Sequence, residues 1–335
     1  MKKFFIHIGL LISIFLIVLE IVLRVTHIAP EFPARMLDDQ FGVYKFQPNQ
    51  SGIFTDGRLG EWKSSWCINN EGWNSELHYK QGERITGLIG DSYIQTIYFD
   101  PENHPYNLFN RAVPSRKFYS FGIQGASFSQ YLNILRYASE TYQMDSVLIF
   151  LDNNDLDESI ASMTRMPRNM QLQIVDDSII EIPAKYHEKV YRNFFKNIAI
   201  FRYGLMNFSF RINMGSAKIR NKNPKIKNNI NDLKKKAVQY IVAEMQKCKV
   251  KHITFVLDGQ RSDIYENNQK SNSKFWTYFK GIEQNDGLLI VDLHTFFKKD
   301  YAQNGLKFEV SEENNHWNLA TNKKIVEHLV IKAEL

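Results

Sequence analysis

Five short apolar runs, at residues 85–89, 117–123, 146–151, 252–257 and 288–293, constrain this chain more than any other feature. Each has the length of a strand and carries few charges. A strand buried on both faces reads this way, as a near-continuous apolar run and not an alternating one. Helix-period stretches lie between or after them, at 127–142, 237–249, 272–284 and 318–333. Strands alternating with amphipathic helices predict an α/β domain with a parallel sheet covered on both sides. Phe275, Trp276 and Phe279 in the third helical stretch suit a buried stripe.

The repeat is interrupted for about 100 residues between the third and fourth strands. Leu172 to Ile182 reads as a small hairpin turning at Asp176-Asp177-Ser178, and an aromatic-rich stretch with Tyr191, Phe194, Phe195, Phe201 and Tyr203 follows. Residues 216–236 then hold eight Lys/Arg and one acidic residue. The whole chain carries 42 Lys+Arg against 36 Asp+Glu, a formal charge of +6, so this one run of +7 accounts for the excess. The fold itself is close to neutral. A basic run without interleaved aromatics or a recognisable module does not predict nucleic-acid binding.

At the other end, from Phe4 to Leu19 only His7, Gly9 and Ser13 interrupt an apolar stretch, which continues to Val25. A helix needs about 20 such residues to cross a bilayer. No convincing small-residue cleavage pattern follows in Thr26-His27-Ile28-Ala29-Pro30, so an uncleaved signal-anchor is expected over 1–25, with a cleaved signal peptide as the alternative. Lys2 and Lys3 favour a cytoplasmic N-terminus and an extracytoplasmic remainder, periplasmic or extracellular. Residues 26–83 show little periodicity and read as a stem and lead-in; 84–335 form the main domain, with an insertion at about 157–236. Cys67 and Cys248 are too few for a disulfide scaffold, and no His or Cys pair has metal-ligand spacing.

The chemistry-bearing residues gather at the ends of these elements. The first strand runs into Gly90-Asp91-Ser92, the second into Gly122-Ile123-Gln124-Gly125, and the third into Asp152-Asn153-Asn154-Asp155. Open α/β sheets place ligands at this carboxyl edge. Glu313-Asn314-Asn315-His316 directly precedes the last helix and sets a carboxylate three residues before an imidazole.

In these ordered blocks the chain resembles the SGNH (GDSL-type) hydrolase family, over about residues 84–335. Ser92 to Gly125 spans 33 residues and Gly125 to Asn154 spans 29, close spacings like the family's. The segment Ile68-Asn69-Asn70-Glu71-Gly72 also resembles one found upstream in membrane-anchored members. The resemblance implies a flavodoxin-like three-layer α/β/α fold with a five-stranded parallel sheet. It implies Ser92 as nucleophile, His316 as general base and Glu313 as the group orienting it, without cofactor or metal. The Ser92 and Gly125 N–H groups and the Asn154 amide would form the oxyanion hole. Two departures stand out: Glu313 where the family has Asp, and Asp152-Asn153 where a small residue usually precedes the Asn. Asp152 is expected to point away from the site, and Asp91 to shape the nucleophile turn.

The function so implied is a serine esterase, an O-acetylesterase acting on an extracytoplasmic glycan, cell-envelope polysaccharide or small ester. An O-acyltransferase using the same residues is the alternative. A non-catalytic envelope assembly or glycan-binding protein that keeps the fold is the third reading.

Overall fold

The structure, a computed structural model, describes residues 1–82, 84–152, 154–175, 178–188, 194–208, 217–218, 230–266, 275–282, 287–312 and 314–335. Two antiparallel hairpins come first after the N-terminal helix Lys2–Val25: β1 (Arg35–Asp38) with β2 (Val43–Phe46), and β3 (Gln50–Asp56) with β4 (Trp62–Ile68). The main sheet then takes β5 (Ile85–Gly90), β6 (Lys117–Gly122) and β7 (Ser146–Leu151). Four short strands follow in the insertion: β8 (Thr164–Arg165), β9 (Gln171–Val175), β10 (Ser178–Ile182) and β11 (Ala217–Lys218). β12 (His252–Leu257) and β13 (Leu288–Asp292) complete the sheet. Its order is β13-β12-β7-β5-β6, all parallel, as the five apolar runs predict.

Side chains in these strands alternate between two cores, because successive residues of a strand face opposite ways. Leu88, Phe118, Leu148, Phe150 and Val256 face the helices Pro105–Ala112, Leu293–Asn304 and Leu319–Lys332. Ile89, Phe121, Val147, Ile149 and Phe255 face Phe128–Tyr142 and Ile230–Gln246. The result is a three-layer α/β/α domain. Phe275 and Phe279 lie in the second core and Trp276 packs against it. The regular helix there is shorter than its periodicity suggests, Trp276–Phe279, and residues 267–274 and 283–286 lie outside the described residues.

Where the sequence reads as a stem, the chain packs on the domain. Phe46, Trp66, Ile68 and Trp73 from the lead-in belong to the same core as β5 and β7. The missing periodicity has a physical reason: paired two-stranded hairpins draped over a domain bury isolated large aromatics and not a repeating stripe. Trp73 is fully buried, with its ring edge-on to Phe121.

β9 and β10 form the expected hairpin, and the turn residues Asp176 and Asp177 lie outside the described residues. Of the basic run 216–236, only 217–218 and 230–236 are described. The helix Ala199–Asn207 packs against the end of the N-terminal helix, where Glu20 accepts hydrogen bonds from Ala199 N–H and Ile200 N–H. The helix Lys2–Val25 is long and apolar enough to cross a membrane, and most of its side chains are exposed. Cys67 and Cys248 are both free thiols.

Register fixes where the chemistry falls. Gly90 is paired with Gly122, Ile89 with Ile149, and Leu151 with Leu257, so four strands end at one edge. The chain enters at β5, steps outward to β6, and returns past β5 to β7. Open α/β sheets place their ligands at such a reversal, here beyond the carboxyl ends of β5 and β7. Gly122 lets the turn after β5 close onto β6: a Cβ there would stand 2.3 Å from Gln95 N and 2.5 Å from the Ile94 carbonyl carbon. Both are backbone atoms, which cannot yield cheaply.

Candidate active site

Ser92 opens the one-turn helix Ser92–Gln95 directly after β5. Asp91 caps this turn, its Oδ1 accepting from Tyr93 N–H at 2.9 Å and its Oδ2 lying 3.3 Å from Ser92 Oγ. The turn-shaping role expected of Asp91 therefore matches its contacts. Burial, then the nearby charge of Asp152, raises the Asp91 carboxyl to about 7, against the lowering effect of the Tyr93 and Ser92 N–H groups. Asp155 and Asp258, under the neighbouring strand ends, are raised as well, both first by burial, and Asp258 reaches about 6.

His316 arrives from the loop before the last helix, 224 residues away in sequence, and its Nε2 lies 2.7 Å from Ser92 Oγ. Its Nδ1 lies 2.6 Å from Asn314 Oδ1. The same oxygen is 3.2 Å from His316 N–H, which can only donate, so the amide presents its carbonyl here. An acceptor at Nδ1 places the ring proton there. Nε2 is left with its lone pair toward the Ser92 hydroxyl, the tautomer a general base requires. The Tyr98 hydroxyl stands 3.5 Å from the same Nε2, and the Tyr93 and Tyr98 rings flank the imidazole at 4.9 and 4.5 Å.

The acceptor at His316 Nδ1 in this structure is thus a neutral amide. Glu313, expected in that role, lies outside the described residues. Nothing in the sequence picks out Asn314, because Glu313-Asn314-Asn315 offers three candidate acceptors in a row and only loop geometry selects among them. Burial, and then the Arg261 cation, lower the His316 imidazole to about 4. The imidazole is therefore in its neutral, proton-accepting form from mildly acidic pH upward. We expect the acid limb of kcat/KM to fall near pH 4, where protonation removes the base. In Asn314→Asp a carboxylate at Nδ1 would favour the imidazolium and raise that limb by about one to three pH units. A pH–rate profile of the two proteins checks this, and coincident acid limbs would contradict it.

Gly125 follows β6 with φ of +73°, a left-handed conformation that suits glycine, and its carbonyl accepts from Asn169 Nδ2 at 2.8 Å. Asn154 follows β7, and its Nδ2 donates to Asp152 Oδ2 at 3.1 Å. The expectation that Asp152 points away is not met. Its carboxylate holds the Asn154 amide, and its charge is felt by Asp91, Asp155 and Asp258. The Asp152 N–H in turn donates to Asp155 Oδ2 at 2.8 Å. Asn153 lies outside the described residues.

Beneath His316 lies a buried network that sequence reading did not single out. Arg261 pairs with Asp258 at 3.0 Å and Glu309 at 2.8 Å, and donates to Asn315 O at 2.9 Å and Tyr93 Oη at 2.7 Å. Tyr93 Oη donates to Asn315 O at 3.0 Å, and Trp317 Nε1 donates to Asp258 Oδ1 at 3.2 Å. Residues on both sides of His316 are thereby tied to one guanidinium cluster. Their only sequence signal was Asp258 one residue past β12, at the same sheet edge as the other site residues. Among the described residues no cluster of His, Cys, Asp and Glu could hold a metal ion.

No protein-family model matches the chain, and no curated protein does. Among solved structures it is similar to TesA, at 11% identity over 75% of this chain and 98% of that one, with a TM-score of 0.38. It is similar to a member of the lipolytic protein G-D-S-L family from Veillonella parvula DSM 2008, at 12% identity over 74% of this chain and 96% of that one, with a TM-score of 0.38. It is also similar to an alpha/beta hydrolase enzyme from the metagenome of Lake Arreo, Spain, at 12% identity over 76% and 97%, with a TM-score of 0.40.

Proposed function

We propose that the chain is a serine-dependent ester hydrolase that forms an acyl-enzyme on Ser92. The observation that carries this is the 2.7 Å contact between Ser92 Oγ and a His316 ring whose other nitrogen is held by Asn314. His316 Nε2 takes the Ser92 proton as Oγ adds to the ester carbonyl, then returns it to the leaving alcohol. Water repeats the sequence on the acyl-enzyme. The Ser92 and Gly125 N–H groups, at adjoining strand ends, are the proposed donors to the oxyanion. Asn154 joins them when its amide leaves Asp152 for the substrate. The orienting role falls to Asn314, a neutral counterpart of the carboxylate in Ser-His-Asp triads.

The substrate we propose is an O-acetylated glycan or other envelope ester outside the cytoplasm. The anchor-like helix Lys2–Val25 and the lysines ahead of its apolar stretch support that location. The test is to incubate the full-length chain in detergent with p-nitrophenyl acetate, with and without a sugar acceptor. Mass spectrometry of the quenched reaction is expected to find acetyl on the Ser92 peptide, and free acetate is expected in both reactions. Acetylated sugar without free acetate would move the assignment to an acyltransferase. No acetyl on Ser92 and no turnover would leave the glycan-binding or assembly reading.

A further inference from the structure

Arg35 and Arg168 come from distant parts of the sequence and converge on the loop that carries Gly125. Arg35, at the start of β1, donates from Nη1 to Tyr44 Oη at 3.0 Å and from Nη2 to Gln124 Oε1 at 3.2 Å. Arg168, from the insertion, places Nη2 2.2 Å from where a Cβ on Gly125 would stand, so its guanidinium packs directly on that glycine. Both guanidinium carbons lie over the Tyr44 ring, at 5.4 and 5.8 Å. The loop is joined to the nucleophile turn by Gln124 N–H, which donates to Gln95 Oε1 at 2.5 Å. Tyr98, the tyrosine beside His316 Nε2, feels the charge of Arg35.

Among the described residues neither arginine forms an ion pair, and Glu158 acts on Arg168 only at longer range. Three other part-buried arginines are compensated, Arg116 by Asp145, Arg136 by Glu181 and Glu244, Arg261 by Asp258 and Glu309. Arg202 is buried without such a pair, but it donates to Lys196 O and the charges it feels include the carboxylates of Glu31 and Glu20. Arg168 Nε is buried with no hydrogen-bond partner, and so is Asn169 Oδ1 beside it. Two like charges brought together and partly desolvated, without a counter-charge, oppose folding. Burial, with Arg35 adding to it, accordingly lowers the proton affinity of Arg168.

We propose that Arg35 and Arg168 are a binding site for an anionic group, a carboxylate or a phosphate, carried by the substrate next to the ester held at Ser92 and Gly125. Guanidinium forks match either oxyanion through paired N–H donors. The placement beside the ester rests on the hydrolase reading; the anion binding itself does not.

Calorimetric titration of the full-length chain in detergent, at low salt, with glucuronate, glucose 6-phosphate and glucose tests it. At least one of the two anions is expected to bind about tenfold or more tightly than glucose, and which one does identifies the group as carboxylate or phosphate. Arg35→Gln and Arg168→Gln are each expected to remove that preference and leave glucose unchanged. Each should melt no lower than wild type, since each relieves a like-charge contact. Equal affinity for all three compounds overturns the proposal. So does an Arg168→Gln chain that keeps the preference, or loss of fold in both variants, which would make the arginines structural. Anion preference without turnover of p-nitrophenyl acetate would sink the hydrolase reading alone; turnover without anion preference would sink this one alone.

Discussion

Ser92→Ala is expected to lower kcat for an acetyl ester by about 10⁴-fold or more, while the folded protein melts close to wild type. The large loss follows from the geometry. Ser92 Oγ is the atom within hydrogen-bond reach of His316 Nε2 that can form a covalent bond to an acyl group. The Tyr98 hydroxyl lies farther, at 3.5 Å, and burial keeps its proton affinity high, so it is a poor replacement nucleophile. The small effect on stability follows because the lost hydroxyl makes only two part-buried contacts, to His316 and, at 3.3 Å, to Asp91, and each partner keeps another, Asn314 for His316 and Tyr93 N–H for Asp91. His316→Ala should cost a similar factor, and the double variant little more than either, because the two residues act as one unit. Steady-state turnover of the three variants, with circular dichroism to show folding, checks this. Turnover within tenfold of wild type in Ser92→Ala would place the chemistry elsewhere.

The sheet was legible because its signal is dense: five buried strands must each be apolar on both faces, and the two cores show that they are. The candidates Ser92, Gly125 and Asn154 could be named from sequence because each lies two or three residues past the end of one of these strands. Asn314 was not, because selecting it over Glu313 or Asn315 depends on how one loop crosses the sheet edge. Arg261 was hidden too, as its partners Asp258, Glu309, Tyr93 and Asn315 are scattered over more than two hundred residues. The lead-in misled for a different reason. Its buried residues, such as Phe46, Trp66 and Trp73, are spaced irregularly, and periodicity cannot detect a wrap of short hairpins.

Arg261→Met tests how far the hidden network sets the position of His316. The guanidinium is 8% exposed and neutralises two carboxylates, Asp258 and Glu309, that are themselves largely buried. Removing it leaves both uncompensated, and breaking a buried pair from one side costs about 3–5 kcal/mol. Asp258 responds by a further rise from about 6, because burial raises it already and Arg261 is the group that opposes that rise. The loop is affected next. Asn315 O keeps only its bond from Tyr93 Oη, which itself loses the Arg261 donor, so the segment carrying His316 is less firmly fixed by the Trp317–Asp258 and Val310–His316 bonds that remain. A displacement of about 1 Å at a general base costs on the order of 10²-fold in rate, and we expect kcat to fall by that factor. The pH profile separates this from simple unfolding. Arg261 helps hold the His316 imidazole down near 4, so its loss should move the acid limb of the surviving activity upward. Arg261→Lys, which keeps the charge and loses the fork, should retain most of the low acid limb and only part of the stability. Urea melts and pH–rate profiles of both variants give the measurement; wild-type stability and kcat in Arg261→Met would show that the His316 loop holds itself.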